Sequence, residues 1–196
     1  MLGVLLVAVA AATIEQPYPD LAPLQHIPTV VLALAAPLLL RRWPLSTASV
    51  ASLCLFMALH TLGGRYIYSY VPYDDWARML TGHGLSDAMG WRRNHYDRLI
   101  HFAFGLLWTL PLREASRGTG GEGGLFTAFA VIGLVSALYE VFEWALTMVA
   151  AGDTADYYNG QQGDLWDAQK DMALALLGSV AAIIWTTGRQ SWRQRK

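Results

Sequence analysis

The chain has 196 residues, 54% of them apolar and only 15% charged; soluble domains carry about 25% charged residues, so a bilayer is the expected solvent. A formal net charge of −1, with basic residues in short clusters beside apolar runs, excludes a nucleic-acid surface, and the lone Cys54 excludes an internal disulfide, a cysteine metal cluster and a CxxC pair. Each crossing needs about 20 mostly apolar residues, so the length provides about five or six crossings. We therefore expect one integral membrane domain over residues 1–196, an all-α polytopic helix bundle of about six transmembrane helices with an outer capping loop.

The apolar segments in chain order are Met1 to Ile14, Leu24 to Leu40, Leu45 to Leu62, Asp97 to Leu112, Gly124 to Ala150, and Asp164 to Thr187. The first would reach only about 21 Å, the length of a signal-peptide core. No Lys or Arg precedes it, although Ala8-Val9-Ala10 has the small residues a peptidase favours, so a retained helix, short or truncated at its start, is expected. Cys54 falls inside the third segment as a packing residue. Arg41 and Arg42, Arg113 and Arg117, and Arg189, Arg193, Arg195 and Lys196 follow alternate segments and fall on one side. By the positive-inside rule that side is the cytoplasm, with both termini.

The outer side then holds Glu15 to Pro23, Gly63 to Tyr96, and Ala151 to Gly163. The long middle loop carries Arg65, Arg78, Arg92 and Arg93, against the positive-inside bias, so its arginines need a ligand or a structural partner. Because a structureless loop of that length is uncommon, it is expected to fold back as a cap with a short helix near Trp76 to Leu80. The inner loop Arg113 to Gly124, by contrast, has the glycine content of a flexible linker.

Ionisable residues inside spanning helices cost roughly 2.5–3.5 kcal/mol on insertion scales and call for an explanation. Asp97 and His101 lie four apart on one face of the fourth segment; taken singly, an N-cap aspartate and a core histidine would account for them. Glu140 and Glu143 share a face deep within the fifth, where an arginine such as Arg98 would be the bland partner. Asp164, Asp167 and Asp171 form one stripe on the sixth; dipole and capping effects explain Asp164 and weaken for Asp171, two turns in. If the topology holds, Asp97, His101, Glu140, Glu143, Asp167 and Asp171 meet at similar depth near the outer face. Such a set must share protons, pair with arginines or bind a cation; a divalent metal ion is the economical answer, its identity open among Mn, Mg, Ca, Fe and Zn. HExxH, Walker A and GxSxG motifs are all missing.

Beside this set, the loop supplies His60, Arg65, Tyr66, Tyr70, Asp74, Asp75 and His95 as candidate substrate-binding residues, with Arg92, Arg93, Asn94 and Tyr96 adjoining. Arginines and tyrosines beside a metal suit an anionic lipid headgroup or small-molecule ligand, whereas the plain reading of the aromatics is an interfacial belt.

The stretches His60-Thr-Leu-Gly-Gly-Arg-Tyr-Ile-Tyr-Ser-Tyr-Val-Pro-Tyr-Asp-Asp-Trp76, Arg93-Asn-His-Tyr-Asp-Arg-Leu-Ile-His-Phe-Ala-Phe-Gly105, Ser136-Ala-Leu-Tyr-Glu-Val-Phe-Glu-Trp144 and Gln162-Gly-Asp-Leu-Trp-Asp-Ala-Gln-Lys-Asp-Met172 resemble the bacterial inner-membrane family that includes YjdF. The order of an Asp-x-x-x-His helix, an acidic helix and an Asp-rich last helix also resembles VanZ-like membrane proteins. Where their acidic helix usually has Glu followed by Gln, this chain has Glu140 and Glu143. The first resemblance implies a multi-helix fold in the bacterial inner membrane and brings no reaction with it.

Two functions from different classes fit these residues. One is a metal-dependent hydrolase acting on an envelope lipid or other anionic substrate, with metal-activated water as nucleophile, Glu140 or Glu143 as general base, and Arg93 or Arg98 neutralising developing charge. The other is a proton- or cation-coupled transporter or polar-ligand-binding protein, disfavoured because the second and third segments offer no charged path inward. A third, purely structural role would have the acids pin helices together.

Overall fold

The computed structural model of the chain describes residues 1–19, 22–116, 121–149 and 162–194. Among the described residues there are eight helices and no strand: α1 (Leu2–Ala12), α2 (Ala22–Arg42), α3 (Thr47–Arg65), α4 (Tyr73–Thr81), α5 (Leu85–Met89), α6 (Tyr96–Ala115), α7 (Gly121–Val149) and α8 (Asp167–Gln194). Arg117, Arg195 and Lys196, expected as topology signals, lie outside the described residues, as does most of the loop expected over Ala151 to Gly163.

Among the described residues three helices are long and apolar enough to cross a membrane, within Thr47–Arg65, Gly123–Met148 and Asp167–Gly188, fewer than the six expected. The other three apolar segments do form helices, each with a composition that sets it apart. The 11 residues of α1 are too few. In α2, Pro28 and Pro37 interrupt the helical hydrogen-bond ladder and Gln25 and His26 are buried. Near its start, α6 carries Asp97, Arg98 and His101.

Local signals set the ends of the elements. Ser46 caps α3, its hydroxyl accepting from the Ser49 amide at 3.2 Å, and both its N–H and its O–H donate to Glu114 at the far end of α6, at 2.8 and 2.7 Å. The segment between α3 and α6 holds α4 and α5, so the short helix expected near Trp76 to Leu80 lies within α4. Gly82 and Gly90 end these two helices in left-handed conformation, at φ 80° and 66°.

The tightest packing in the bundle joins α6 to α8, which run in the same direction. A Cβ placed on Gly105 would stand 1.8 Å from the Ala175 carbonyl oxygen, and one on Gly178 would stand 2.1 Å from that of Phe102. Only glycine lets two backbones approach so closely. Beside this crossing the buried hydroxyls of Thr109 and Ser179 meet at 2.8 Å, which fixes the two helices in register. One turn from Gly105 toward the start of α6 lies His101, and Asp171 lies about two turns from Gly178 toward the start of α8. The crossing therefore carries the acidic ends of both helices together.

A buried acid and histidine cluster above an apolar cavity

Asp97 does not cap α6: the Asn94 side chain accepts from the Tyr96 amide at 3.0 Å, and Asp97 sits buried in the first turn. His101, one turn on, places Nε2 at 3.8 Å from Asp97 Oδ1 and 3.7 Å from Glu140 Oε1 on α7. From α8, Asp171 completes the group; one ligand atom each of Asp97, His101 and Asp171 lie within 4.8 Å of one another. Asp171 Oδ1 and Glu140 Oε1 are buried with no hydrogen-bond partner. Two oxygens so placed are costly unless something positive joins them.

The neighbouring acids have taken the available cations. Asp167 pairs with Arg93 and, at 3.3 Å, with Arg98; Asp164 pairs with Arg98 and holds the Lys170 ammonium at 2.6 Å. Lys170 thus faces Asp164 instead of offsetting Asp171. Asp164 also accepts from the Trp166 amide at 3.1 Å, as a residue at the head of a helix should. The Lys170 ammonium first, then the Trp166 amide and Arg98, hold its carboxyl well below the usual carboxylate range. His95 stacks on Trp91 at 4.4 Å, and burial, then the guanidiniums of Arg98 and Arg93, push its pKa down.

Of the six residues expected to meet, Asp97, His101, Glu140 and Asp171 do. Asp167 stands beside them, tied to Arg93 and Arg98. Glu143 is buried one turn along α7 with a hydrogen bond from Tyr139. Neither glutamate takes Arg98, whose ion pairs are with Asp164 and Asp167.

The loop residues expected to bind substrate scatter, and only His60 lines the cavity described below. Arg65 donates to the carbonyls of Ala12, Ile14 and Glu15, at 2.8, 2.8 and 3.3 Å. Its charge is thereby spent on the last turn of α1, a structural partner of the kind expected for an arginine of this segment. Tyr66 packs edge-on to Trp76, Tyr70 stacks on Tyr18 at 5.3 Å, Asp74 accepts from the Ser86 amide at 2.7 Å, and Asp75 pairs with Arg78 at 3.1 Å.

Under the cluster opens a cavity of about 450 Å³ between α2, α3, α6 and α7. Its wall is nearly all carbon, from Leu32, Phe56, Ile100, Phe104, Val131 and Val135, with Asp97 and His101 at its polar end. Sequence reasoning missed Tyr68, which also lines it and hydrogen-bonds His60 Nδ1, while His60 Nε2 donates to the Gln25 carbonyl at 2.9 Å. The glycine pair in the loop motif was the available signal. A Cβ on Gly63 would strike the Tyr68 ring at 2.5 Å, so Gly63 is the seat of that ring. Both Ile67 and Tyr68 hold left-handed backbone, at φ 43° and 57°, unusual for non-glycine residues.

Residues 1–191 match the family model described as "Predicted membrane protein (DUF2238)". The chain is also 37% identical over 148 residues to inner membrane protein YjdF of Escherichia coli (strain K12). That alignment takes in 74% of this chain and 66% of the relative, just under two thirds of its length. No solved structure matches.

Proposed function

Because the chain belongs to the DUF2238 family of predicted membrane proteins, we propose that it is a multi-pass inner-membrane protein whose buried Asp97, His101 and Asp171 hold a divalent metal ion for hydrolysis of an envelope lipid or other anionic substrate. In this reading α1, α2 and α6 cross together with the three longer apolar helices, the termini are cytoplasmic, and the cluster faces the outer side.

The observation that carries the metal is the unequal supply of cations. Arg93, Arg98 and Lys170 are engaged with Asp164 and Asp167, while Asp97, Asp171 and Glu140 converge on one imidazole with two oxygens unpartnered. Carboxylates with one imidazole suit a hard or borderline divalent ion. Such an ion would supply Lewis acidity toward a phosphoryl or carbonyl oxygen and acidify water. Glu140, with Oε1 3.7 Å from His101 Nε2, is the general base of this reading, whereas Glu143 already has Tyr139. The carbon-walled cavity holds the apolar part of the substrate away from water. It also weighs against a transport path, because a cation leaving His101 inward would meet a wall that is mostly apolar and carries no acidic residue besides Asp97.

Elemental analysis of the detergent-purified protein beside Asp171→Asn and Asp97→Asn variants tests the site. Near-stoichiometric metal in the wild type, lost in both variants while each still elutes as one folded peak, is the expected result. Absence of metal from the wild type after it has been offered would end this reading.

A further inference from the structure

The apolar residues of α4 keep to one face. Tyr73, Trp76, Ala77 and Leu80 stand at offsets of zero, three, four and seven, with Met79 beside them, whereas Asp74, Asp75, Arg78 and Thr81 share the opposite face. The two ends of the apolar face have different surroundings. Tyr73 and Trp76 pack against the core that includes Tyr68, Val71 and Tyr96; Trp76 lies edge-on to Tyr66, and the Tyr73 hydroxyl accepts from the His95 amide at 2.9 Å. One turn further along the same face Leu80 is 86% exposed, and Met79 beside it is 75% exposed. On α5, Leu85 and Met89 are four apart, on one face and exposed. Asp87, on the other side of α5, is held by Arg78 at 3.1 Å, so the apolar pair turns away from the polar face of α4.

The level at which these residues leave the bundle identifies what meets them. One of the helices long and apolar enough to cross the membrane, α3, ends at Arg65, and α6 begins at Tyr96. The contacts of Trp76 with Tyr66 and of Tyr73 with His95 hold α4 level with both of these ends. There a bilayer passes from hydrocarbon to headgroups. Past the edge of the bundle, the face that packs on protein at Tyr73 and Trp76 therefore meets the headgroup end of a lipid leaflet. The polar residues neutralise one another instead of reaching for lipid: Arg78 also pairs with Asp75 at 3.1 Å. Asp74, Asp75 and Asp87 outnumber Arg78 on the two helices, so burial of carbon drives this docking and attraction to anionic headgroups does not.

We propose that α4 and α5 form an interfacial anchor, with Met79, Leu80, Leu85 and Met89 seated in the lipid at the headgroup boundary beside the end of α3. Because α4 starts five residues after Tyr68, the anchor fastens to the leaflet the segment that supplies one wall of the cavity. It makes no use of the acid cluster and holds with or without a metal there.

Nitroxide labels on introduced cysteines test this in the full chain, reconstituted in phosphatidylcholine vesicles. Their collision rates are read with oxygen, which concentrates in lipid, and with a water-soluble nickel chelate. Leu80→Cys, Met89→Cys and, as the control on the polar face, Thr81→Cys are made in a Cys54→Ala background. The ratio of oxygen to nickel collisions should be several times higher for Leu80→Cys and Met89→Cys than for Thr81→Cys. A ratio at either position equal to that of Thr81→Cys, with nickel reaching both, overturns the proposal. Shielding of the Leu80→Cys or Met89→Cys label from both reagents also overturns it, since that marks a contact with protein, either a second copy or another segment of this chain. Should Cys54→Ala fail to fold, the same substitutions are made with Cys54 retained, and the signal of the wild-type chain labelled at Cys54 is subtracted.

Discussion

Replacing Gly105 with alanine adds a single methyl at the place where α6 and α8 are closest. That carbon would stand 1.8 Å from the Ala175 oxygen and 2.7 Å from the Ser179 nitrogen, both backbone atoms that cannot turn aside. The helices must part by more than an ångström, and the Thr109–Ser179 hydrogen bond, at 2.8 Å, breaks. Overpacking strain of about 1–3 kcal/mol adds to about 1 kcal/mol for the bond, so roughly 2–4 kcal/mol of stability should go. Unfolding by SDS in mixed micelles measures this. Gly133→Ala is the control, since its methyl would meet only the flexible Leu176 side-chain end at 3.2 Å. Metal affinity should fall in Gly105→Ala as well, because the crossing sets the distance from Asp97 and His101 to Asp171. Equal midpoints for the two variants would refute the reasoning.

Ser136→Ala should raise stability slightly, by up to about 1 kcal/mol, because it removes a buried hydroxyl with no hydrogen-bond partner; thermal unfolding in detergent reads the sign. Arg65→Met should release the last carbonyls of α1 at a cost of about 1.5–3 kcal/mol and speed amide exchange within residues 2–14, leaving exchange in α8 unchanged. Because Asp164 is held below its unfolded pKa of about 3.9, its stabilising effect is complete above about pH 4 and is lost as pH falls toward the folded value. Asp164→Asn should therefore be less stable at neutral pH and show a shallower loss on acidification in a thermal series from pH 6 to pH 2; an unchanged acid limb would count against the Lys170 and arginine network.

What could be read from sequence was what the helical repeat dictates. Asp97 and His101, or Glu140 and Glu143, share a face by spacing alone, and apolar run length located the helices, although α8 runs on to Gln194, past the expected end at Thr187. Pairings across 66 to 74 positions, Arg98 to Asp164 and Arg93 to Asp167, obey no such spacing. They decided which acids are neutralised and which are not, and so moved Asp167 from the free acids to the ion-paired ones. Arg65 was flagged as an anomaly of charge, and its partner proved to be backbone, which sequence pattern cannot display. Gly105 and Gly178 look ordinary inside apolar runs. Their meaning depends on what faces them.

The closeness of α6 and α8 also bears on how the chain enters the bilayer. An isolated α6, with Asp97, Arg98 and His101 in its opening turns, is a poor candidate for lateral release from a translocon into lipid. Its charge partners Asp164 and Asp167 and its glycine-lined neighbour are made more than 60 residues later. If α6 crosses the bilayer as proposed, it is expected to wait in a polar setting until α8 emerges, so that the two partition into lipid as a pair and the later helix completes the insertion of the earlier one.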